Sequence, residues 1–79
     1  MSKYPSIRQK DLLKFIKKLG FEEIRTRGSH VRLKSADGKV VTVPVHSGKD
    51  VPRGLLYSII TKDLEMGMDE FFILFQKMM

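Results

Sequence analysis

Two histidines, His30 and His46, are the side chains of this 79-residue chain whose ordinary pKa allows proton exchange near neutral pH. There is no Cys, which excludes thiolate catalysis, thiolate metal ligation and disulfides. Arg27-Gly28-Ser29 precede His30, and Arg32 and Lys34 follow it at alternate positions. A glycine lets backbone come close to an anion, a serine hydroxyl can donate to one, and the cations neutralise one. That combination suits phosphate esters. RNA brings its own nucleophile, the 2′-hydroxyl, so its cleavage needs a base, an acid for the leaving 5′-oxygen and positive charge on the phosphate. His30 is the candidate base, and Arg27, Gly28, Ser29, Arg32 and Lys34 are the candidate phosphate contacts. His46 is a candidate general acid or phosphate ligand. The plainer alternative makes His30 a polar residue on an open strand face and His46 a solvated loop residue. Asp37, at a turn tip, and Asp50 are the nearby carboxylates, too few to complete a metal site, so neither metal nor cofactor is expected.

Charge favours the same chemistry. Fifteen Lys and Arg against nine Asp and Glu leave a net charge of +6. Residues 1–54 hold thirteen of the basic and five of the acidic residues, a net +8, whereas residues 55–79 carry −2. A small basic body attracts polyanions, with nucleic acid first and an acidic protein second. A hydrophobic content of 42% excludes a disordered tail. The longest apolar run, Phe71 to Phe75, is far shorter than the roughly 20 residues that span a bilayer, so no membrane partner is expected. Met1 to Lys10 carries no legible secretory signal, and the cytoplasm is the expected location. At this length one domain over residues 1–79 is expected, without a large enclosed cleft. The sequence does not determine self-association; a monomer is the default.

An open basic face needs a scaffold behind it. Ser6 and Gln9 have the spacing of a capping box, and Leu12, Leu13, Ile16 and Leu19 recur at helical spacing up to Gly20, which predicts a helix over residues 7–19. Its Lys10, Lys14, Lys17 and Lys18 read as a solvated face or as support for a phosphate backbone. Three β-type runs follow, Glu22–Thr26, His30–Lys34 and Lys39–Val45, as an antiparallel meander. Parity then sets the register. A three-residue loop Ala36-Asp37-Gly38, with Gly38 left-handed, gathers Val31, Leu33, Val41, Val43 and Val45 on one face. The other face gathers His30, Arg32, Lys34 and Thr42, with His30 opposite Pro44 and diagonal to His46. A helix opening at Pro52 carries Leu55, Leu56, Ile59, Ile60 and Leu64 until Gly67, and a last helix covers residues 69–77. Its five successive apolar residues, Phe71 to Phe75, read first as core, but they cannot all face one core, and the alternative is that the outer side is offered to a partner. The result is an α+β fold of order α-β-β-β-α-α, its helices on the Val/Leu face of a three-stranded antiparallel sheet.

The chain resembles the HicA toxins, also called YcfA-like proteins, which are small RNA-cleaving partners of HicB antitoxins. The resemblance covers nearly the whole length and rests on Lys10-Asp11-Leu12, Leu19-Gly20-Phe21, Arg27-Gly28-Ser29-His30, Val43-Pro44-Val45-His46 and Lys49-Asp50-Val51-Pro52. Gly54-Leu55 and Ser58-Ile59-Ile60 continue the pattern. It departs at Val31, where the family often has a second His or an aromatic residue, and at Asp50, where Glu is usual. The resemblance implies a fold like that of double-stranded-RNA-binding domains and a metal-independent endoribonuclease, an mRNA interferase with the Gly-Ser-His histidine essential. It also implies neutralisation by an acidic HicB-like antitoxin. The competing reading is a non-catalytic RNA-binding module that uses the same basic face for phosphate contacts.

Overall fold

Alternation along two neighbouring strands decides the architecture. Val31 and Leu33 are buried on β2 (His30–Lys34), and Val41 and Val43 on β3 (Val40–Pro44), whereas His30, Arg32, Lys34 and Thr42 are exposed. A sheet with one apolar face must cover that face. In the computed structural model, which describes residues 4–46 and 48–79, helices cover it. The order is α1 (Gln9–Lys18), β1 (Glu22–Arg27), β2, β3, α2 (Arg53–Ser58), a π-helical turn (Ile59–Asp63) and α3 (Met68–Met78). The fold is α+β, with an antiparallel sheet of strand order β1-β2-β3.

The β2–β3 register is the one that turn chemistry requires. His30 faces Pro44, Arg32 faces Thr42, and Lys34 faces Val40. The Ser35 N–H donates to the Lys39 carbonyl at 2.9 Å and the Gly38 N–H to the Ser35 carbonyl at 3.0 Å, which leaves residues 36–38 as the loop. Gly38 has φ 94°, a conformation that costs glycine little.

The helix layer departs from the sequence expectation in three places. First, α1 begins at Gln9, and Ser6 and Gln9 form no capping box. The chain ahead of α1 is extended instead: Arg8 bridges Asp50, the Val51 N–H donates to the Ile7 carbonyl at 2.8 Å, and the Gln9 N–H donates to the Lys49 carbonyl at 2.9 Å. Second, Phe15 lies in the core while Leu13 and Leu19 are only half-buried. Leu12, Phe15 and Ile16 share the inward stripe by their i, i+3, i+4 spacing, and Phe15 meets Phe71 at 5.0 Å and Phe75 at 5.2 Å between ring centroids. Third, the segment after Pro52 stops before Gly67. The π turn admits one extra residue, the Leu64 N–H reaches the Ile59 carbonyl at 2.8 Å, and Glu65 takes φ 56°. Leu56, Ile59, Ile60 and Leu64 face inward and Leu55 is turned outward. Gly67 instead precedes α3, where its N–H donates to the Glu70 side chain at 3.2 Å. Among the described residues no helix is long and apolar enough to cross a membrane.

On α3, Phe71 is fully buried while Ile73 is 58% exposed, so the two sides of this helix carry very different energies. Phe71→Ala is expected to cost about 3–5 kcal/mol. Ile73→Ala should stay within about 0.5 kcal/mol, as for an exposed position. Urea unfolding of the two variants checks this; equal costs would mean that α3 does not close the core.

Candidate functional site

The open face of the sheet is assembled by one tight turn. Arg27 pairs with His30 across Gly28-Ser29, and Gly28 takes φ 59°. Glycine at the first central position with positive φ is what a type II′ hairpin turn asks for. The tight loop fixes parity on both strands, so Arg27 faces His30 and Arg25 faces Arg32. On the far side of β2, Thr42 faces Arg32.

Arg25, Arg27, His30, Arg32 and Thr42 together line a shallow open depression of about 170 Å³. Three guanidinium-bearing residues thus share one depression with one imidazole. None of the three has a hydrogen-bond or ion-pair partner among the described residues. The helix side differs: Lys17 pairs with Glu23 at 2.8 Å, and Lys18 donates to the Met78 carbonyl at 2.9 Å. The hydrogen bond from the Lys17 ammonium holds the Glu23 carboxyl below its ordinary pKa. The α1 lysines lie on the layer that packs the opposite face of the sheet, so the phosphate-supporting reading of Lys17 and Lys18 gains nothing from their positions.

The other expected contacts are placed as follows. Gly28 is exposed at the turn. Ser29 is half-buried, and its carbonyl accepts the Val45 N–H at 2.6 Å. Lys34 shares the open face but faces Glu22 and lines a separate depression with Gly20, Glu22, Ile24, Ser35 and Ala36. The cause is a bulge between Glu23 and Arg25, which turns Glu23 toward α1 and brings Glu22 opposite Lys34. His46 is exposed just beyond β3 and does not line the Arg-rich depression; its N–H donates to the Gln9 side chain at 2.6 Å. Val31 is buried on the opposite side, so that departure from the resembled pattern falls in the core.

Arg25 is the contact that the motif-centred reading omits. Strand parity through the Gly28-Ser29 turn carries the signal, since residues two apart on β1 share a face. Among the described residues, no three His, Asp or Glu side chains gather as a set of metal ligands.

An imidazole beside arginines that are unpaired among the described residues is an arrangement that unrelated proteins can share, so it does not by itself give kinship. Kinship comes from comparison. A family model described as the HicA toxin of bacterial toxin-antitoxin systems matches residues 10–66, from the first turn of α1 to the segment before α3. No curated protein matches the chain. Because that match spans well over half of the sequence and takes in the whole sheet and its Gly28-Ser29-His30 turn, the chain belongs to the HicA toxin family, the toxin half of a pair completed by a cognate antitoxin.

Proposed function

We propose that this toxin is a metal-independent endoribonuclease that cleaves mRNA with His30 as general base. The observation that supports it is the convergence of Arg25, Arg27 and Arg32, unpaired among the described residues, on the depression that His30 lines. An uncompensated cluster of three cations costs self-repulsion, and a bound phosphate offsets that cost. His30 takes the proton of the ribose 2′-hydroxyl as the 2′-oxygen attacks phosphorus and the bond from phosphorus to the 5′-oxygen breaks, that oxygen leaving as a protonated 5′-hydroxyl, while the guanidiniums hold charge that grows on the phosphate oxygens. Gly28 and Ser29 bring the turn close to the backbone of the bound strand, and the Thr42 hydroxyl adds a donor beside Arg32.

The same surface is the natural target of the antitoxin. An acidic HicB-like protein that covers the His30 face would neutralise the arginines and exclude RNA in one step, in the cytoplasm where message is found. Electrostatic steering over residues 1–54 would make that association fast and salt-sensitive.

Cleavage of an RNA oligonucleotide in excess EDTA is the direct test. Wild type should cut, and His30→Ala should lose on the order of 10²–10⁴-fold in rate while it keeps its fold and its RNA affinity. Retention of affinity without any cutting by the wild type would instead make the protein a binding module.

Removal of Arg25, Arg27 or Arg32 individually should weaken RNA binding and lower the slope of log affinity against log salt by about one unit or less. Lys62→Ala and Lys77→Ala, away from the face, should leave both unchanged. Titration of labelled RNA at several salt concentrations measures this; equal losses at both sets would reduce the attraction to net charge.

A further inference from the structure

Among the described residues, Gln9 is the one buried polar or charged residue, at 5% exposure. A buried amide has to be satisfied at both ends. Its Oε1 accepts the His46 N–H at 2.6 Å, and its Nε2 donates to the Asp50 carbonyl at 3.2 Å. One side chain thus grips residues 46 and 50 from the first turn of α1. The main-chain bond from the Gln9 N–H to the Lys49 carbonyl, at 2.9 Å, and the Arg8–Asp50 bridge fasten the same segment. An exposed polar residue would begin α1 equally well, so helix formation alone does not call for this burial.

The shorter of the two amide bonds falls on His46. Val45 lengthens the β2–β3 ladder through its bond to Ser29 and packs against the core, so alternation returns the next residue to the face of His30. Because His30 faces Pro44, His46 is its diagonal neighbour, roughly 7–8 Å away between backbones. Two imidazoles at that spacing can reach opposite ends of one phosphodiester.

We propose that Gln9 is a positioning residue that holds His46 where its ring gives a proton to the leaving group, an inference that rests on the ribonuclease reading above. In the step, the bond from the 2′-oxygen to phosphorus forms and the bond from phosphorus to the 5′-oxygen breaks. His30 takes the proton of the 2′-hydroxyl, and His46 gives one to the 5′-oxygen. The products are a 2′,3′-cyclic phosphate and a 5′-hydroxyl. Gln9 touches no reacting atom and acts only through the main chain of His46.

The test uses an RNA oligonucleotide and the same oligonucleotide with sulfur in place of the scissile 5′-oxygen, because a thiolate departs without a proton. On ordinary RNA, His46→Ala should lose on the order of 10²–10⁴-fold in kcat. Gln9→Leu should lose on the order of 10–10²-fold, since misplacing a catalytic group by about 1 Å can cost about 10²-fold. The variant carrying both Gln9→Leu and His46→Ala should be no slower than His46→Ala alone. On the sulfur substrate all of these should recover to near the wild-type rate, whereas His30→Ala should not. Equal slowing of Gln9→Leu on both substrates would mean general distortion and would overturn the proposal, as would a Gln9→Leu rate equal to wild type or losses that multiply in the double variant. If wild type cleaves neither substrate, the ribonuclease reading falls and this one with it; if wild type cleaves while Gln9→Leu fails these criteria, only the role of Gln9 is removed.

Discussion

The burial of Val31 and Leu33 against the helix layer is the interaction on which the rest depends. Strand geometry allows no separate choice for the residues between them: with alternate side chains inside, His30, Arg32 and Lys34 are forced outward. Packing and chemistry are therefore two faces of one decision. A slip of one residue would bury three charged or titratable groups and expose the apolar ones, at a cost that the small core could not meet. Each apolar side chain buried on the inner face, about 1.5–3 kcal/mol apiece, thus also stabilises the outward placement of the imidazole and the guanidiniums.

Much of this was legible because it is local. The β2–β3 register follows from Ala36-Asp37-Gly38 and from the parity of five Val and Leu residues, all within fifteen positions of chain. What escaped depends on partners distant in sequence. Phe15 stands three residues after Leu12, on the stripe that helical periodicity marks, but its partners Phe71 and Phe75 arrive from the far end of the chain, and nothing within α1 reports them. Gln9 reads as a helix-capping residue until its partners, 37 and 41 positions away, come into contact. Arg25 is an intermediate case. Its place beside His30 was implied by the Gly28-Ser29 turn, but the bulge that separates Lys34 from the same group has no local signature in Glu22-Glu23-Ile24.

The family match ends at Met66, while the core does not. Phe71 is fully buried against α1, and Tyr4 stacks on Phe72 at 4.9 Å from the other terminus. The segment beyond the match is thus part of what makes the helix layer cohere behind the sheet.

Every residue of β1 is exposed, on both of its faces, and the strand is held mainly by its ladder to β2. Hydrogen-bonded strands without apolar cover belong to the low-stability end of a protein's range of local opening. The proposed site is consequently built from parts of unequal compliance. His30, Arg32 and Thr42 ride on strands anchored by the core, whereas Arg25 and Arg27 ride on a margin that can flex with whatever they hold. Under the proposed function, a polyanion of irregular backbone would be followed by the two arginines of β1 while the imidazole keeps its place, so tolerance of shape and constancy of chemistry would be divided between neighbouring strands of one small sheet.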